Sequence, residues 1–457
     1  SDSTRAAGEK ERETYLKSPL SREYQESLRK QDSARYVRYR ILLDTLPLST
    51  EVLKLVDGDY ADLPGKLYEL RDLDSLNLAM NRISCLDVRF DEFKHLKFLS
   101  LAGNDLTGRS IKFDRNDTLQ YLNLSENDIL KMPRSLRGLK GLKTLKISGN
   151  AKKGQILKVR IFKWDSLKTL DLSNNNLKKI PRGIKKLKSL EILNLSYNDI
   201  KTLKGLHRLD QIKELEISFN PLFLDPKYLV ILPDLENLII RGCGITYLPP
   251  EINRFRGLKK LVVPENRLDS VPGEIGDFKH LENLMLYKNN LNDLPVEIYN
   301  LSNLVWLDVY YNDLKYISPE IARLKNLEIL YLSYNKLREL PENLGEMTKL
   351  KELYLHHNQL RALPESISKL VNLKYLHVYD NHLTVFPQGV LELKKLQELN
   401  LSGNLIEYFP MEIAGYDHLN YIYLDNNSTD KNSQSYEYFK WALKQLQDKG
   451  VIIKFDY

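Results

Sequence analysis

The sequence predicts an α/β solenoid: a curved stack of short units with a concave parallel sheet and short helices or 3-10 turns on the convex side. Three observations carry that prediction. Asparagine followed two residues later by an aliphatic residue recurs at Asn266, Asn289, Asn312, Asn335, Asn358, Asn381 and Asn404, every step being 23 residues. The same frame runs backward through Cys243, Asn220, Asn198, Asn175, Asn150, Asn127, Asn104 and Asn81, with one step of 25 before Asn175 and one of 22 before Asn220. Each unit reads LxxLxLxxNxL, as in LKELYLHHNQL at 350–360, and in the second half most units add a Leu-Pro step, as in RALPESISKL at 361–370. A fixed period of this length marks stacked supersecondary units, each contacting its neighbours, and not separate globular domains.

Each element has a physical reason. The LxL core is a short strand whose leucines point inward by period-two alternation, and neighbouring units pair these strands about 4.8 Å apart. The asparagine ends the strand and can bond backbone groups that a buried bend would otherwise leave unpaired. Cys243 takes its place in LIIRGCGI at 238–245 as a weaker donor. Proline cannot donate, which suits the turn toward the convex side. Asn427 extends the series forward and Gly58 marks a degraded first unit, giving about seventeen units over residues 47–430. Apolar spacing in 22–46 predicts a helical N-terminal cap over residues 1–46. At the other end residues 431–457 read as a second cap, an amphipathic helix over 433–450 followed by a strand in VIIKF at 451–455.

These units resemble the leucine-rich repeat family in its 23-residue form with a Leu-Pro step, over roughly residues 50–430, of the bacterial type without cysteine-rich caps. The resemblance implies the horseshoe fold and a role in recognition. It also bears on location. The absent cysteine-rich caps fit either a cytoplasmic protein or an exported bacterial one. The start at Ser1 and the Tyr-, Asn- and Lys-rich composition incline the expectation toward a bacterial cell-surface or secreted protein.

Several function classes are excluded at this level. No run of eighteen apolar residues occurs, so no conventional transmembrane helix is expected. Two cysteines, Cys85 and Cys243, make neither a disulfide framework nor a zinc pattern. The repeats consume nearly the whole chain, and GxxxxGK[ST], GxSxG and HExxH are absent. A non-enzymatic protein without cofactor is therefore expected.

The binding surface is read from the positions between the leucines. With the asparagine as position nine, positions three, five, seven and eight are expected to face the concave side. Units ending at Asn150 and Asn175 carry Thr, Ser, Gly, Lys, Asp and Asn there. The five units ending at Asn289 through Asn381 carry rings instead: Tyr287, Trp306, Tyr310, Tyr311, Tyr331, Tyr334, Tyr354, His356, His357, Tyr375, His377 and Tyr379. Tyr and Trp combine large apolar area with a polar handle, the chemistry of interface hot spots. The plainer explanation, that aromatics suit strands, does not account for their crowding into five adjacent units. The expected partner is a protein or peptide. The histidines suggest pH-dependent binding; as metal ligands they lack an evident carboxylate or thiolate set, and as catalysts they lack a nucleophile.

A second candidate surface lies at residues 131–188. Eighteen Lys or Arg face only Asp165 and Asp171, a local net charge of +16 in a chain whose total is +7, so the remainder carries −9. Most fall between strands and are expected on the convex or lateral face, where they can simply aid solubility or attract a glycan or other anionic polymer or surface. Interleaved aromatics are few, Phe162 and Trp164, which argues against specific nucleic-acid binding. The alternative function is thus adhesion to a glycan or anionic surface. Neither surface reveals an oligomeric state.

Overall fold

The structure, a computed structural model, describes residues 42–456 apart from 63–64, 89–92, 153, 208 and 230–231. The predicted N-terminal helical cap over 1–46 lies outside the described residues except for 42–46, of which 42–45 form one helical turn. The chain divides into two compact units, residues 1–177 with 181–198, and residues 178–180 with 199–457.

In the first unit seven three-residue strands run parallel in chain order: Val52–Lys54, Ser75–Asn77, Phe98–Ser100, Tyr121–Asn123, Thr144–Lys146, Thr169–Asp171 and Ile192–Asn194. The register sets central leucine against central leucine, from Leu53↔Leu76 to Leu170↔Leu193. A small second pair, Leu86–Val88 with Ile111–Phe113, lies outside that sheet. The second unit repeats the plan with eleven parallel strands, from Glu214–Glu216 to Ile452–Lys454, again with central Leu or Ile opposite its counterpart. The middle strand residue is buried in every repeat and its two neighbours are mostly half-exposed, as the alternation requires.

The connections are 3-10 helices in place of α-helices. In the second unit they follow the Leu-Pro step, as at Val296–Asn300, Glu342–Glu346 and Glu365–Lys369. Pro295, Pro341 and Pro364 precede them at φ near −65°, and each proline carbonyl accepts the N–H of the residue three further on. Five residues suffice to return the chain within a 23-residue period, and the tighter helix spans that distance in fewer residues.

Asparagine binds one repeat to the next. Asn404 Nδ2 donates to the carbonyls of Val378 and Leu401 at 3.0 Å each, and its Oδ1 accepts from the Leu383 N–H at 3.0 Å. The same three-way pattern recurs at Asn81, Asn104, Asn127, Asn266, Asn312, Asn335, Asn358 and Asn381. Cys243 substitutes as expected, its buried thiol donating to the carbonyls of Ile217 at 3.4 Å and Arg241 at 3.5 Å. Burial pushes that thiol up to about 11, so it stays protonated as a donor.

At the C-terminal end an α-helix spans Gln434–Asp448, capped by the Ser433 hydroxyl accepting the Tyr436 N–H. It buries Tyr436, Phe439, Ala442, Leu443 and Leu446, and Phe439 packs on Phe409 and Phe455. The last strand, Ile452–Lys454, then pairs with Tyr421–Tyr423 and covers the open edge of the second unit's sheet.

Replacing Asn404 by Ala leaves the buried Leu383 N–H without a partner and takes one donor each from the Val378 and Leu401 carbonyls, which Asn381 and Asn427 still serve. A loss of about 1–3 kcal/mol is expected, chiefly from the unsatisfied N–H. Urea denaturation followed by circular dichroism checks it, with Asn290→Ala, at an exposed position, as the control.

Candidate binding surface

The ring-bearing stretch lies wholly within the second unit, on strands Trp306–Asp308, Ile329–Tyr331, Glu352–Tyr354 and Tyr375–His377 and the turns that follow them. Register fixes its columns. Asp308 stands opposite Tyr331, Tyr331 opposite Tyr354, and Tyr354 opposite His377. Tyr331 and Tyr354 stack at 4.2 Å with 12° between planes, His377 meets Tyr354 edge-on at 4.9 Å, and Trp306 lies 6.1 Å from Tyr331.

A second column forms on the turns. Tyr310, Tyr311 and Tyr334 lie within 6 Å of one another, at 5.9, 5.2 and 5.7 Å. Tyr334 then reaches His357 at 4.0 Å, and Tyr379 reaches His357 at 5.3 Å. The rings therefore form two connected ladders across adjacent repeats. Tyr287 is half-buried outside them, and Tyr375 turns its hydroxyl to donate to Gln397 at 3.0 Å. These two are not brought into the cluster.

His356 corrects the expectation that position seven is exposed. Its side chain is buried, 9% exposed, with Nδ1 3.0 Å from the Ser333 hydroxyl and its ring stacked on Tyr379 at 4.3 Å. Ser125, Ser196, Ser218 and Ser333 are likewise buried at position seven, because the chain turns inward there to place the asparagine. His356 is a support beneath the surface. The exposed members are Tyr311 at 52%, with Trp306, Tyr310, Tyr331, Tyr334, Tyr354, His357, His377 and Tyr379 half-buried.

Position eight has a backbone constraint that the sequence did not disclose. Lys288, Tyr311, Tyr334, His357 and Asp380 all have φ between 52° and 54°. Left-handed backbone favours Gly or Asn and costs other residues roughly 1 kcal/mol. Other repeats use Gly103, Gly149, Asn174, Gly242, Gly403 or Asn426 there, and others again Met80, Glu126, Tyr197, Phe219 or Glu265. Strand preference thus cannot explain Tyr311, Tyr334 or His357, which occupy positions that are not strand at all.

Acidic groups, which residue-type reasoning left out of the site, set its electrostatics. Tyr354 donates its hydroxyl to Glu352 at 3.0 Å, His377 Nε2 lies 3.0 Å from Glu398, and His357 Nε2 lies 3.3 Å from Asp380. Burial pushes the Asp308 carboxyl up to about 6, against a hydrogen bond from the Tyr310 N–H that lowers it. Burial drives His356 down to about 4, helped by the neighbouring His377 and His357, and burial also lowers His377 against the pull of Glu398. Near neutral pH the buried imidazole is uncharged, and the face presents ring surfaces beside carboxylates. The Trp306 indole N–H is buried without a hydrogen-bond partner, a cost of about 1–3 kcal/mol that a purely structural residue would not need.

The basic segment behaves differently from its sequence description at one point. Trp164 is fully buried, its indole N–H donating to the Leu136 carbonyl at 3.0 Å, so it belongs to the core and not to a cationic surface.

Comparison with known proteins places these features in context. A family model described as leucine-rich repeat region matches residues 72–228 and 269–363, and one described as leucine rich repeat matches 371–428. No curated protein matches the chain. Among solved structures, a leucine-rich repeat protein of Leptospira interrogans is 29% identical, with 91% of this chain and 97% of that one covered and a TM-score of 0.71. The ectodomain of the plant membrane receptor kinase GASSHO1 from Arabidopsis thaliana, solved with Casparian strip integrity factor 2, is 26% identical. There 80% of this chain and 48% of that one are covered, with a TM-score of 0.57. The Toll–Spätzle complex of Drosophila, 20% identical with 79% and 52% covered and a TM-score of 0.65, shares the fold.

The depressed His356 has a sign that can be measured. Its folded value near 4 lies below the roughly 6.5 of an unfolded chain, so acid protonates the unfolded state first. Stability carried by neutral His356 is present above about pH 6.5 and is lost as pH falls toward 4, with His377 acting in the same direction. Asp308 acts oppositely, its contribution falling as pH rises from 3.8 through about 6. The stability difference between wild type and His356→Gln should therefore shrink steadily from pH 7 to pH 4.5, read as urea midpoints across that range.

Proposed function

Because the chain belongs to the leucine-rich repeat family, we propose that it is a non-enzymatic recognition protein that binds a protein or peptide on the aromatic face of the second unit's sheet. The observation that carries this reading is the placement of Tyr311, Tyr334 and His357 on left-handed backbone in three consecutive repeats, ring against ring from Tyr311 to His357. Bulky rings kept at a conformational cost, beside the Tyr331–Tyr354 stack, match the few-rotor anchors that dominate interfaces. The solved complex of the 26%-identical plant ectodomain with Casparian strip integrity factor 2 supports a protein ligand for this scaffold. The similarity to the Leptospira protein along nearly its full length supports a bacterial source.

The chemistry of the face narrows the partner. Ring faces next to Glu352, Glu398 and Asp380 favour a segment that brings basic and apolar side chains together, through cation–π contacts and charge-assisted hydrogen bonds. Among the described residues no helix is long and apolar enough to cross a membrane.

The test is capture from the native extract and medium by wild type and by the Tyr331→Ala/Tyr334→Ala variant, followed by titration of the purified captured species. Two lost anchors should weaken binding at least about 100-fold, from about 1.4 kcal/mol or more per ring. A species bound equally by both would show the rings to be sheet cover.

A further inference from the structure

The first unit contains a cleft of about 910 Å³, lined by residues 107–112, 128–135 and 155–158. Its walls come from irregular parts of three consecutive repeats. The stretch Thr107–Gly108 approaches the next repeat closely, since a side chain at Gly108 would collide with the Lys131 carbonyl oxygen. Isolated parallel bridges Thr107↔Asp128 and Lys131↔Lys158 hold these walls together, and the Leu86–Val88 and Ile111–Phe113 pair flanks them. The third wall belongs to the 25-residue step, whose extra length brings Gln155, Ile156 and Lys158 into the lining.

The cleft combines two chemistries. Arg109, Lys131, Arg134 and Lys158 line it and are exposed. The one lining carboxylate, Asp128, is held by Lys152 at 2.7 Å and offers these cations little neutralisation. Beneath them the lining is aliphatic, with Ile111 and Met132 buried and Leu130 and Ile156 exposed at 37% and 41%. Exposed aliphatic side chains at the bottom of a ring of cations are poorly explained by solubility, which needs only the charges. Its size falls within the range of small-molecule sites.

We propose that this cleft binds an anionic amphiphile, with a phosphate or carboxylate head gripped by Arg109, Lys131, Arg134 and Lys158 and an attached apolar chain laid over Leu130 and Ile156. Guanidinium and ammonium groups together supply both bidentate and point-charge contacts to such a head. The apolar chain gains by leaving water against the aliphatic floor. The same head and chain can be presented by a soluble amphiphile or by a membrane lipid. This site is independent of the aromatic face and stands or falls without it.

Calorimetric titration of the full chain with dihexanoylphosphatidic acid, kept below its micelle concentration, tests the proposal, with inorganic phosphate as the head-only probe. The short lipid should bind one to one and at least tenfold tighter than phosphate. Lys131→Glu/Arg134→Glu and, separately, Ile156→Asp should each weaken it at least tenfold. The equally charge-changing Lys185→Glu/Lys186→Glu, elsewhere in the basic segment, should change it less than threefold, with melting curves showing that every variant is folded. Vesicles of phosphatidylcholine with and without phosphatidic acid distinguish the sources: sedimentation of wild type with the acidic vesicles assigns a membrane lipid, and binding of the monomer alone assigns a soluble one. The proposal is overturned if no binding occurs, if phosphate binds as tightly as the lipid, or if the Lys185/Lys186 control loses affinity as much as the cleft variants.

Discussion

Everything in this molecule depends on asparagine satisfying the backbone at the end of each strand. A three-residue strand that bends into the core exposes carbonyls and N–H groups to an apolar interior, where an unpaired group costs about 1–3 kcal/mol. The carboxamide solves this with one side chain, donating to the preceding repeat and its own, and accepting from the preceding turn, as Asn358 does with Leu332, Leu355 and Leu337. The bond pattern spans two repeats, so it also fixes their spacing. The 23-residue period follows from that geometry together with the five-residue 3-10 return.

The same inward bend creates the unusual backbone at position eight. To swing the asparagine inward the residue before it adopts left-handed φ, from Met80 to Asn426. Glycine or asparagine adopts it at least cost, as at Gly103, Gly149 and Asn174, yet Met80, Glu126, Tyr197, Phe219 and Glu265 adopt it too. What sets Tyr311, Tyr334 and His357 apart is that three consecutive repeats carry rings there, in contact with one another and beside strand faces that also carry rings.

The fold was legible because leucine and asparagine recur in a frame that no other architecture demands, and even Cys243 could be read as a substitute donor. The binding face was legible only in part. Counting alternation along a strand places Tyr331 and Tyr354 correctly outward, but it fails at position seven, where the turn has already begun and His356 sinks against Ser333 and Tyr379. Alternation is a property of extended backbone and carries no information past the strand's end. Trp164 shows the opposite error: lying among lysines in sequence, it fills the core, because it stands eleven residues before Asn175, in the slot that the buried Leu301, Leu324 and Leu370 hold before their own asparagines. The cleft near Lys131 and Lys158 had no local signal, since its walls come from three repeats and only their stacking joins them.

The claim that the position-eight rings serve recognition and not the fold is tested most directly by the stability of Tyr311→Gly. Glycine relieves a left-handed backbone worth roughly 1 kcal/mol, against lost ring contacts of about the same size. Equilibrium urea denaturation should therefore place the variant's stability at or above that of wild type. A loss of several kcal/mol would show that the ring is part of what holds the sheet together, and the case for a recognition surface built at the fold's expense would fall.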